Sequence, residues 1–212
     1  MKHQLLVSFA TLVLAIVAAI IVMIIHEFTK AMAYSIYIRI YNKKYNKEEP
    51  CKGIFKFHRY IDPVGVIFAA TNNGIFSKQY PFVIRSKKAS LIIGIAGYVS
   101  LAITFIIASI CYRIFFGHDI TFADNELALY YVVKCAKYLV EYIAFFSATL
   151  FSVNIYPMAT FDIALIIAGT SPIAYIKIRK YDIFYKLIFI IMSLIGIFST
   201  IGVVITSKAL GF

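Results

Sequence analysis

The chain has 212 residues, of which 62% are apolar and only 15% charged, with a mean hydropathy of +0.86. A water-soluble domain carries about 25% charged residues, so the composition excludes one and leaves a single membrane domain over 1–212. The net charge of +11 does not argue for nucleic acid, because the basic residues flank apolar runs, where they set topology and meet lipid headgroups.

The first apolar run, Leu5 to Ile25, follows Lys2 as a secretory leader would. A leader's apolar region is about 7–15 residues and ends at a small-residue cleavage site. This run is longer, lacks such a site and continues into His26-Glu27, so it reads as a retained span reaching towards Ile40. Next, Val64–Ala70 and Ile75–Val83 flank Thr71-Asn72-Asn73-Gly74. Asn-Gly suits a type I′ turn, so the stretch reads as a small membrane-associated β-hairpin. A second span is expected over Ala89–Phe116, then an amphipathic lead-in over Leu127–Tyr138 near the surface. A third span, Leu139–Ala168, is interrupted at Asn154–Pro157, and a fourth covers Ile183–Ile205. Each exceeds the roughly 20 residues that a crossing needs. The expected fold is an all-α integral membrane bundle of about four transmembrane segments, with the hairpin between the first and second.

The loop between those two spans is rich in Lys and Arg, from Arg39 to Lys88, and Lys177, Arg179 and Lys180 precede the fourth. Between them, Gly117–Glu126 carries Asp119, Asp124 and Glu126 and no Lys or Arg, although Lys134 and Lys137 follow. The positive-inside rule puts both basic loops in the cytoplasm of a cell membrane and both termini outside. The cysteines, Cys51, Cys111 and Cys135, are odd in number and lack CxxC spacing, so they suggest neither a disulfide framework nor a metal knuckle. His3, His58 and His118 read as flanking or solvated residues.

Chemistry concentrates at the end of the first apolar run. A His-Glu-x-x-His helix sets two imidazoles at i and i+4 to hold zinc, with the glutamate as general base. Here His26 and Glu27 are present and Lys30 stands at the second histidine position. Asp162 precedes its basic run by about as many residues as His26 precedes its own, which predicts one shared depth. Ionisable residues within spans are expensive and usually functional, so His26, Glu27, Lys30 and Asp162 are the candidate site.

Three stretches, in order, carry a resemblance: His26-Glu27; Tyr60-Ile61-Asp62-Pro63-Val64-Gly65; and Asn154-Ile155-Tyr156-Pro157-Met158-Ala159-Thr160-Phe161-Asp162. Together they resemble the site-2 protease family of intramembrane zinc metalloproteases in its short form, with Ala96-Gly97 as a weaker fourth match. The resemblance implies zinc held by His26 and Asp162, Glu27 as general base, and Asn154 as a substrate-positioning residue. It also implies an embedded strand beside the site that pairs with an unwound substrate; a re-entrant loop that only seals the bundle is the competing reading. Taken alone, Asp62–Gly65 is a turn and Asn154–Pro157 a helix break.

The chain also departs from the family pattern. Lys30 replaces a zinc ligand, Ala159 a proline, Ile163 a glycine, Tyr98 a proline, Leu101 an asparagine and Tyr60 a histidine. His26 and Asp162 alone fall short of the three protein ligands of a catalytic zinc. A protonated lysine has no lone pair to give, and the carboxylates beside it favour the ammonium form. Lys30 is therefore expected in the metal's place, paired with Asp162 or Glu27. Two functions follow: a pseudoprotease that binds a transmembrane segment or partner protein without cutting it, which is the preferred reading, or a zinc metalloendopeptidase that completes its shell otherwise.

Overall fold

The computed structural model describes residues 2–45, 54–72, 74–77, 82, 84, 86–116 and 127–211. Among them are eight α-helices: α1 (Lys2–Tyr45), α2 (Pro63–Asn72), α3 (Lys87–Phe116), α4 (Leu127–Asn154), α5 (Asp162–Thr170), α6 (Pro172–Lys180), α7 (Asp182–Ile195) and α8 (Ile197–Leu210). A single 3-10 turn, Phe57–Tyr60, precedes α2.

Among the described residues, three stretches are long and apolar enough to cross a membrane: Phe9–Tyr41, Lys87–Phe116 and Tyr130–Asn154. A fourth exists if α7 and α8, bent by 55°, form one span. The bend has a local cause. Gly196 sits at φ +82, and its N–H closes α7 onto the carbonyls of Met192 and Ser193. That left-handed conformation suits glycine, which has no Cβ to clash.

Within hydrocarbon, helices prevail because they satisfy their own N–H and C=O groups. Outer faces carry exposed apolar residues such as Ile36, Ile103, Ile107, Leu187 and Ile190. Inside, Ala15, Ala18 and Ala19 of α1 are small enough to let α1 approach its neighbours. They pack with Leu101 of α3, Phe145, Phe146 and Leu150 of α4, Phe189 of α7 and Phe198 of α8. Asn154 ends α4, and the chain crosses residues 155–161 without helix before α5 begins at Asp162. The interruption expected in the third span is therefore present.

One expectation needs correction. The stretch expected as the first hairpin strand is helix α2, and no strand occurs among the described residues. The decisive residue is Asp62, whose carboxylate accepts the N–H of Val64 at 2.9 Å and of Gly65 at 3.3 Å. It acts as a helix N-cap, with Pro63 at the first helical position, where its missing N–H does no harm. Asn73 and most of the second expected strand lie outside the described residues; residues 74–77 are irregular. Leu127–Tyr138, expected as an amphipathic lead-in to the third span, is helical. It runs on without a break as the start of α4.

Candidate functional site: a buried ionic cluster

The helical repeat of α1 puts His26 and Lys30 on one face, with Glu27 beside both. All three are buried, at 0%, 1% and 1% exposure, and so is Asp162 at 0%. Four ionisable side chains thus meet where unsatisfied charge is most expensive, and they satisfy one another. Lys30 Nζ lies 2.8 Å from Glu27 Oε1 and 2.8 Å from Asp162 Oδ1. His26 Nε2 lies 3.1 Å from Asp162 Oδ2 and 3.7 Å from Glu27 Oε1. Both approaches to Asp162 are short, and at Lys30 the attraction of opposite charges holds the pair.

Each partner is positioned by its own element. Asp162 opens α5, and its backbone N–H donates to Asn154 Oδ1 at 3.3 Å across the break. Asn154 Nδ2 donates to Leu150 O at 3.0 Å and comes within 3.5 Å of His26 Nε2. The Asn154 carbonyl, freed by the end of α4, accepts from Tyr98 Oη at 2.6 Å. Asn154 is therefore the hinge that sets Asp162 against α1. Ala159 also anchors the break. Its N–H, which a proline would lack, donates to Asp182 Oδ1 at 3.1 Å and ties the segment to α7.

Helix α3 closes another side. A Cβ on Gly97 would overlap Asp162 Oδ2 and stand 2.6 Å from its Cγ. Only glycine lets the α3 backbone lie against that carboxylate. One turn on, Ser100 Oγ donates to Gly97 O at 2.7 Å and sits 3.2 Å from His26 Nδ1. With its proton committed to Gly97, the Ser100 oxygen is left to accept from Nδ1–H. Glu27 Oε1 also accepts from Ser77 Oγ at 2.7 Å, so the segment after α2 reaches the cluster directly. Beyond Ser100, an apolar cavity of about 440 Å³ opens between α1, α3 and α4, lined by Ile25, Thr29, Val99 and Ile143 among others.

His26, Glu27, Lys30, Asp162 and Asn154, all singled out in the sequence, are therefore brought together. Ser77, Ser100 and the close approach at Gly97 join the site without being expected there. A serine three residues after a glycine, at the depth of His26, is the available signal for Ser100; nothing in the sequence marks Ser77. His58 is exposed, and His3 and His118 lie outside the described side chains. Cys111 and Cys135 are free thiols, and Cys51 lies outside the described residues.

These residues do not fit a zinc ion. His26 and Asp162 are close enough to share a metal, but the Lys30 ammonium fills the space against both carboxylates. It offers no lone pair and repels a cation. Among the described residues, no three His, Cys, Asp or Glu side chains are arranged to hold a metal ion. No family model, curated protein or solved structure matches the chain.

Proposed function

We propose that this chain is a site-2-protease-like multi-pass protein of the cell membrane, with its basic loops cytoplasmic, that binds a transmembrane segment of a partner without cutting it. The observation that carries the reading is Lys30, whose ammonium bridges Glu27 and Asp162 at 2.8 Å each. In that geometry an organic cation does the electrostatic work that a metal would do in a hydrolase, and it activates no water. The cavity beside Ser100 supports the binding half of the proposal. It is apolar, faces outward between helices, and ends next to the cluster.

The other reading, a zinc metalloendopeptidase, draws on the presence of Glu27. A charged side chain at a helix centre costs about 2.5–3.5 kcal/mol on insertion scales, so it should have a purpose. Pairing with Lys30 and Ser77 is such a purpose, and it needs no hydrolysis.

The test is photo-crosslinking from position 25, which lines the cavity, in native membranes. Adducts to membrane proteins of full length should form equally with the parent chain and with Glu27→Gln. A shortened partner made by the parent chain and absent with Glu27→Gln would establish the protease instead.

A further inference from the structure

The basic end of the bundle holds a second cavity, of about 470 Å³, between the first turn of α3 and the junction of α5 and α6. Lys87, Arg179, Tyr175, Ser86 and Ser90 form its polar lining. Close packing builds it. A Cβ on Gly169 would come 2.8 Å from the Lys87 carbonyl oxygen and 2.8 Å from Leu91 Cβ, so the end of α5 lies directly on α3. Pro172 then starts α6, which carries Tyr175 and Arg179 to the cavity.

The neutral polar groups there are mostly occupied within the protein. Ser90 Oγ donates to Leu165 O at 2.8 Å. Ser86 Oγ accepts the N–H of Ala89 at 3.1 Å and lies 3.0 Å from Tyr37 Oη. The two cations are in a different position. Lys87 and Arg179 are exposed, and neither takes part in an ion pair among the described residues. Among the described residues, no carboxylate lines the cavity. The N-terminal end of α3 adds positive potential through its helix dipole. A guanidinium fork and an ammonium lining the same cavity are a pairing suited to phosphate oxygens.

The surroundings indicate which phosphate. Leu165 and Pro172 give the cavity an apolar wall. On α6, Ile173 and Ile176 are 72% and 65% exposed, while Lys177 and Lys180 are exposed beside them. A short helix exposing both aliphatic and basic side chains suits the headgroup layer of a bilayer. We propose that this cavity binds the phosphate of an anionic phospholipid headgroup, gripped between Lys87 and Arg179. The inference does not depend on the role of the ionic cluster around Lys30.

The experiment uses the full chain in neutral detergent, titrated with phosphatidylglycerol, phosphatidylcholine or inorganic phosphate, with binding read by native mass spectrometry and by melting temperature. Phosphatidylglycerol should bind and raise the melting temperature, and the other two should not. Lys87→Gln/Arg179→Gln should weaken phosphatidylglycerol binding by roughly tenfold or more, through the loss of charge-assisted hydrogen bonds to the phosphate. The lipid-free melting temperature should hold, because both side chains are exposed. Lys177→Gln/Lys180→Gln removes the same charge outside the cavity and should change affinity much less. Equal losses in the two pairs would reduce the effect to diffuse surface charge and overturn the proposal. Inorganic phosphate binding with the same dependence on Lys87 and Arg179, in place of lipid, would make this a soluble-anion site and overturn it too, as would no response to phosphatidylglycerol.

Discussion

Lys30→Ala removes a single cation and leaves two carboxylates facing each other's field with only His26 between them. Glu27 and Asp162 are 1% and 0% exposed, so water cannot replace the lost ammonium at its 2.8 Å contacts. Breaking a buried pair by removing one partner costs about 3–5 kcal/mol. For a chain of this size that corresponds to a fall of roughly 6–20 °C in melting temperature, at about 2–4 °C per kcal/mol. The structure also predicts an asymmetry. Asp162→Asn should cost less than Lys30→Ala, because the ammonium keeps Glu27, which itself keeps Ser77. The double variant Lys30→Ala/Asp162→Asn should recover part of the Lys30→Ala loss, since one of the stranded carboxylates is gone. Thermal unfolding in mild detergent, with all three variants in parallel, reads these differences. A melting temperature unchanged by Lys30→Ala would mean that the ammonium is satisfied by water or headgroups, and the idea that it replaces a metal would be refuted.

Three further outcomes follow from the same geometry. Lys30→His restores the i, i+4 imidazole pair and should raise bound zinc several-fold over the parent chain, measured by elemental analysis; proteolysis need not return with it. Gly97→Ala drives a methyl into the Asp162 carboxylate, which His26 and Lys30 hold in place, so a loss of about 1–3 kcal/mol is expected from overpacking, readable as a lower melting temperature. Asp62→Ala removes the acceptor for the Val64 and Gly65 amides and should weaken α2 by about 1 kcal/mol, with faster hydrogen exchange confined to the start of that helix.

The long helices are legible in the sequence because hydropathy over about 20 residues admits one structural answer in a membrane. The meeting of His26 with Asp162 is legible for a related reason: equal chain distances from two basic loops fix equal depth. Shorter elements are harder. Asp62-Pro63 reads as a turn, although the same two residues are equally a cap and a first helical residue; the choice depends on the chain that follows. Val64–Ala70 is apolar on all sides, so no periodicity separates strand from helix. The bend at Gly196 is hidden because a glycine inside an apolar run leaves hydropathy high. Ser100 escapes notice since serine is common in spans and usually bonds its own helix, as Ser147 does with Ile143 O, and Ser77 because it lies in an irregular segment outside the helices. Their importance comes from contacts across 50 and 74 residues of sequence, which no local pattern encodes.

If an ammonium stands where a metal would, metal content is the most direct test. The full chain, expressed with zinc supplied and purified in mild detergent without chelator, should contain zinc far below stoichiometry, and adding a chelator should leave its melting temperature unchanged. Zinc near one per chain, removable by chelator with a fall in stability, would contradict this arrangement, because His26 and Asp162 would then be metal ligands and Lys30 could not lie between the carboxylates as described.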